Sequence, residues 1–288
     1  MPNLKPFLVG TMLLGFAQTA TAGDIGHMPP LPQPPTIPEI ASIGSAWYLR
    51  GDAGYSTSND PKMLVSRDGV ADSFVSSRLG NAATLGVGIG YRVASWLRFD
   101  ATLDYRLKAN LKGVYTTAGD PNIAREDTSA KISAVTGLVN AYLDLGTWSG
   151  LTPYIGAGIG ATSLRFGNYA GTYFISPAYG GPNPCGAVAT CASPSVFPAK
   201  SRTNLAWALM AGTAIELGGG LSIDVGYRYL HLGKAETGID PNLASLTGSA
   251  QKLRLKSVDA HEIRVGLRWE LGAPLAREHE ASVLGRKY

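Results

Sequence analysis

Between Leu85 and Lys108 the chain reads LGVGIGYRVASWLRFDATLDYRLK, and its side chains alternate with a period of two. Leu85, Val87, Ile89, Tyr91 and Val93 fall on one face, opposite Gly86, Gly88, Gly90 and Arg92. After a break at Ala94-Ser95 the pattern resumes: Leu97, Phe99, Ala101, Leu103, Tyr105 and Leu107 oppose Arg98, Asp100, Thr102, Asp104, Arg106 and Lys108. Period two marks extended strand, because successive Cβ atoms point to opposite faces. One face is oily throughout and the other is charged. A soluble sandwich also alternates, with its oily face in the core. Strand number, turn length and aromatic placement therefore decide between that and a barrel in lipid.

Six more segments follow the rule. Trp47, Leu49, Ala53 and Tyr55 oppose Tyr48, Arg50 and Asp52; Val135, Val139, Ala141 and Leu143 oppose Thr136, Asn140, Tyr142 and Asp144. Ile155, Ala157, Ile159 and Ala161 oppose Tyr154, Gly156, Gly158 and Gly160. Leu205, Trp207, Leu209 and Ile215 oppose Asn204, Ala206, Gly212 and Glu216. Leu221, Ile223, Val225, Tyr227 and Tyr229 oppose Asp224 and Arg228, and Ile263, Val265, Leu267 and Trp269 oppose Glu262, Arg264, Arg268 and Glu270. The total is an even eight, as a bacterial up-and-down barrel requires. Connections alternate between short (Ala94-Ser95, GTWSG, GGG) and long (60–80, 109–130, 166–202, 234–256). Short periplasmic turns and long outer loops are the outer-membrane arrangement. Trp47, Trp96, Trp148 and Trp269 fall at the short-turn ends, and Tyr55, Tyr105, Trp207 and Tyr229 near the long-loop ends. Two interfacial girdles of this kind belong to a bilayer protein. The expected fold is all-β, an eight-stranded antiparallel up-and-down transmembrane barrel.

The ends carry their own signals. Lys5, the apolar run FLVGTMLLGFA and Ala20-Thr21-Ala22 read as a secretory signal over 1–22, too short in its apolar part for a spanning helix. Residues 23–44 are proline-dense and read as a periplasmic linker, residues 45–271 as the barrel, and 272–288 as a periplasmic tail. In an exported chain the two cysteines, Cys185 and Cys191, are expected to pair and to staple the third long loop, the first choice for a partner contact. No histidine lies near them in sequence, which argues against a metal site. Basic and acidic residues are interspersed, with no basic run carrying aromatics, so nucleic-acid binding finds no support.

The repeated glycines of GVGIG and YIGAGIGA sit on the inward face, with no helix following, so they are not a phosphate loop. In a narrow barrel they make room for larger inward side chains. The inward charges are Arg50, Asp52, Arg92, Arg98, Asp100, Asp104, Arg106, Asp144, Glu216, Asp224, Arg228, Glu262, Arg264 and Arg268. Both signs are present, so they are expected to pair across the lumen as a closed polar plug, with a thin gated ion path as the alternative. His231 raises a hydrolase reading, but RYLHLGK supplies a base without a nucleophile; Ser245 or Ser249 could approach from the next loop, and nothing singles out either. A rim histidine is the plainer reading.

The segments LGVGIGYR, TPYIGAGIGA, VGYRYLHLG and HEIRVGLRWEL resemble the opacity-type, porin-family outer-membrane barrels of Gram-negative bacteria. That group includes the small outer-membrane immunogenic proteins and is related in architecture to the OmpA transmembrane domain. The resemblance runs from Ser45 to Leu271, with two departures: a tail beyond Leu271, and His231 where the family often has an acidic residue. It implies an outer-membrane structural protein serving envelope integrity and surface or host contact, not an enzyme, with no cofactor. A small porin and a lipid A hydrolase are the alternatives. The implied partners are outer-membrane lipids and lipopolysaccharide, the barrel-assembly machinery, and an extracellular ligand on the long loops.

Overall fold

The computed structural model describes residues 47–68, 70–116, 124–167, 169–178, 185, 188–193, 197–241 and 250–271, all within a compact unit spanning Pro38–Tyr288. The expected signal, linker and tail lie outside the described residues. Eight strands close a ring: β1 (Trp47–Ser58), β5 (Ala82–Ala94), β6 (Leu97–Thr116), β7 (Ala124–Asp144), β8 (Leu151–Phe166), β11 (Lys200–Gly218), β12 (Leu221–Glu236) and β13 (Gln251–Glu270). Each pairs antiparallel with its neighbours in the chain, and β13 returns to β1 through Trp269 opposite Leu49 and Ile263 opposite Tyr55. Closure leaves no open edge across the lipid, which a bilayer with no water for spare amides demands.

The faces sort by parity. Outward aliphatics are largely exposed, with Leu85 at 57%, Val87 at 63%, Leu205 at 67% and Ile263 at 66%. A continuous apolar surface of this extent belongs against lipid. The band runs from the short turns up to Tyr55, Ala83, Leu107, Val135, Ala161, Leu205, Tyr229 and Ile263. Above it outward positions become polar, with Lys108, Asn110, Lys112, Ser129, Lys131 and Arg165.

The long connections are not loops throughout. A strand of about 9–11 residues crosses a bilayer, yet β6, β7 and β13 have 20, 21 and 20 residues. The span 109–130, expected as a loop, is mostly the outer half of the β6–β7 hairpin, paired as far as Thr116 opposite Arg125. A register shift between Arg106 and Ala109 inverts the parity there, so the alternation breaks where the strand does not. Five short strands widen this outer sheet: β2 (Met63–Arg67) on β13, β3 (Val70–Ser73) on β2, β4 (Ser76–Leu79) on β6, β9 (Ala170–Ile175) on β7 and β10 (Thr190–Ala192) on β9.

Candidate functional site

The lumen is built in two storeys. In the lower one, inward charges pair across strands. Arg50 grips Asp52 with two hydrogen bonds, Nε to Oδ2 at 2.9 Å and Nη2 to Oδ1 at 2.7 Å, and reaches Asp100 with Nη1 at 2.9 Å. Asp104 takes Arg228 on one oxygen and Arg264 on the other, both at 2.7 Å. Arg228 also holds Glu262 at 2.6 Å, and Arg264 reaches back to Asp52 at 3.4 Å. The ladder therefore runs unbroken from Glu262 to Asp100. A second group lies nearer the short turns: Arg98 on Asp144 at 3.0 Å, Arg268 within 3.7 Å of Asp224, and Arg92 on Glu270. A buried charge is costly unless it is paired or hydrogen-bonded.

Aromatic rings complete the storey. The fully buried Arg98 guanidinium sits between Tyr142 and Tyr154, 4.6 and 4.8 Å from their centroids. Tyr48 donates to Asp100 at 3.2 Å, as does Asn140 at 2.7 Å. The inward glycines supply the volume. A Cβ on Gly90 would lie 2.2 Å from the Tyr48 ring, and one on Gly86 2.1 Å from Asp104. On Gly158 it would meet Asn140 at 2.0 Å. What space remains among Arg50, Tyr142, Asp224 and Arg228 is a recess of about 20 Å³, room for about one water.

Two of the inward charges behave differently from expectation. Glu216 is exposed, because the even face of β11 has passed out of the lumen by the glycine turn, and no ion pair holds it among the described residues. Arg106 is buried but bonds Ser56 at 2.6 Å and Ser58 at 2.7 Å in place of a carboxylate. The sequence reading also omits Tyr48, Asn140, Tyr142 and Tyr154 from the network. Their inward parity was readable; their contacts across the lumen were not.

The upper storey is largely apolar. Leu111, Ile132, Leu164, Phe166, Leu230, Leu232, Leu253, Leu255 and Val258 are almost fully buried in one cluster, joined by Met63 and Phe197 from the connections. At its mouth Glu236 gathers cations: Lys200 at 2.8 Å, Arg202 at 3.1 Å, Lys252 at 3.5 Å and Arg254 at 3.8 Å. The Lys200 hydrogen bond, aided by the charges of Lys252 and Arg202, holds the Glu236 carboxyl below the usual carboxylate range.

At the rim His231 faces outward, its ring stacked on Trp207 and its Nδ1 2.6 Å from Asp259. The Ser257 hydroxyl donates to the other Asp259 oxygen at 2.9 Å, so it serves the carboxylate. Ser245 and Ser249 lie outside the described residues. Trp47, Trp96, Trp148 and Trp269 stand half-exposed at the short-turn end. Tyr55 and Tyr105 stand at the upper edge of the band, and Trp207 and Tyr229 pack there with centroids 5.3 Å apart. Cys185 and Cys191 are joined as a disulfide with Cα atoms 5.4 Å apart, and Cys191 lies opposite Tyr173 on the β9–β10 pair. Tyr169 in the same connection is held inward, edge-on to Phe197 at 4.9 Å and donating to Glu126. Burial, with Glu126 beside it, pushes its hydroxyl pKa up.

The chain is similar to a Brucella abortus protein of uncharacterized function, 32% identical over 288 residues, with 90% of this chain and 95% of that protein covered. A Rickettsia bellii protein described as a candidate adhesin is 29% identical over 230 residues, covering 78% of this chain and 88% of the relative. Among solved structures, the outer membrane protein OprG from Pseudomonas aeruginosa aligns with a TM-score of 0.48 at 14% identity, over 79% of this chain and 97% of that one. The model of the outer membrane protein beta-barrel domain matches residues 12–270. With its closed ring of strands, its lipid-facing band and this match, the chain belongs to the outer membrane protein beta-barrel domain family and resides in the outer membrane.

Proposed function

We propose that this protein is a plugged barrel that works through its outer surface, contacting ligands or host surfaces with the β-built platform above the lipid while the lumen holds shape. One observation carries the reading: the interior is closed by a paired polar storey and an apolar storey, while the longest strands continue about ten residues past what a bilayer needs. Strand length spent outside the membrane suits contact at the surface better than passage of solutes through the lumen. The description of the Rickettsia relative as a candidate adhesin agrees with this reading. The β9–β10 connection, fastened by Cys185–Cys191, is the first contact surface to test.

The test is attachment of bacteria displaying the protein to cultured host-cell monolayers. Shortening the connection between Phe166 and Lys200 to a tight turn is expected to abolish most of the added attachment. The barrel should still show its heat-dependent shift on gels. Unchanged attachment by that variant, and by one shortened between Ala109 and Ala130, would sink the proposal.

A further inference from the structure

On the outer wall, directly above the lipid band, two irregularities fall at one height. In β6 the register shift between Arg106 and Ala109 turns Leu107 and Lys108 outward in succession, so an aliphatic side chain at the edge of the band is followed at once by a cation. Bulges re-aim side chains in this manner. In the adjoining wall β7 changes partner, from β8 below (Ile132 opposite Phe166) to β9 above (Ser129 opposite Ala170). Between them lies a recess of about 530 Å³ whose charged lining is Lys108, Lys112, Lys131 and Arg165, with no acidic residue. All four are exposed, and no ion pair engages them among the described residues. Arg78 stands directly across from Lys112 on the β4–β6 pair. Like charges placed opposite each other on a sheet destabilise it. Asp127 lines the adjoining hollow beside Arg78 and Lys112, but it is ion-paired with Arg125, so the cluster keeps an excess of positive charge.

We infer that this recess is a docking site for the phosphorylated headgroup of an outer-leaflet glycolipid. Its position selects the lipid source. The same three strands present Leu107, Val135 and Ala161 below the cations, with Ser133 and Ser163 between them on β7 and β8, so one molecule lays its acyl chains on the band and its phosphates in the recess. Lysine and arginine both bind phosphate by charge-assisted hydrogen bonds, and each basic residue near a membrane surface adds to lipid affinity. The inference rests on the outer-membrane location and is independent of the loop-contact proposal.

The full-length protein, refolded into phosphatidylcholine nanodiscs, is titrated with bisphosphorylated lipid A and bound lipid is counted by native mass spectrometry. K112Q/K131Q is expected to weaken binding by about 10-fold or more, while K112R/K131R retains it. K200Q/R202Q, which removes the same charge at the barrel mouth, is expected to change it by less than about 2-fold, and dephosphorylated lipid A binds weakly to the unaltered chain. Equal losses in the two glutamine variants would mean diffuse electrostatics and overturn the site. Equal binding of the dephosphorylated lipid would overturn the phosphate, and displacement by inorganic pyrophosphate at matching concentration would overturn the lipid. The heat-dependent gel shift checks that every variant is folded.

Discussion

Asp104 is the residue on which the lower storey turns. It joins Arg228 on β12 to Arg264 on β13, and Gly86 on β5 stands aside for it. Replacing it by Asn keeps the shape and removes the charge that two buried guanidiniums share. Breaking one partner out of a buried pair costs about 3–5 kcal/mol, so D104N is expected to lower the urea midpoint of the refolded barrel by a corresponding amount. A shift within error would mean that Glu262 and Asp52 alone suffice for both arginines. The sequence made Asp104 visible as an inward acid through its parity. It did not reveal its partners, which lie 124 and 160 residues away. Pairing across a lumen depends on strand stagger, and alternation along a single strand carries no information about stagger.

The lower halves of the strands were legible for a physical reason: lipid on one side and a charged interior on the other force sharp alternation. Above the band that contrast fades. Ala124, Glu126, Thr128 and Ala130 point inward on β7 and look like a loop composition, yet they are paired strand. The outer extension has its own electrostatics, centred on Glu236. Because its carboxyl pKa is depressed in the fold, it contributes stability that is fully present above the ordinary glutamate value of about 4.3. That contribution is lost as pH falls through the lower folded value. Amide exchange in the upper β12–β13 pair is therefore expected to accelerate as pH is lowered from about 6 to 3, after correction for intrinsic rates, with E236Q flattening the dependence. An identical profile in E236Q would remove Glu236 from the account.

At the scale of the molecule, the two storeys act in series. The alternation along the strands is compatible with a polar plug or with an ion path through the charges. The apolar storey is not legible in the sequence because many of its members, among them Leu111, Leu253 and Leu255, come from spans without sustained alternation. Planar-bilayer recordings are expected to be silent for the refolded protein and for D100N alike, since breaching the charged storey leaves the apolar one above it dry. Discrete openings in D100N would show that the charged storey alone is the seal. The spacing of the lumen pairs also bears on biogenesis. Arg50 meets Asp100 early in the chain, but Asp104 waits for Arg228 and Arg264 on the last two strands. A strand entering the bilayer by itself would carry charge with its counterpart still in water, at a cost of several kcal/mol per ion. Membrane entry and final closure are therefore expected to be concerted, so that a chain cut short before β12 fails to become protease-protected in lipid vesicles.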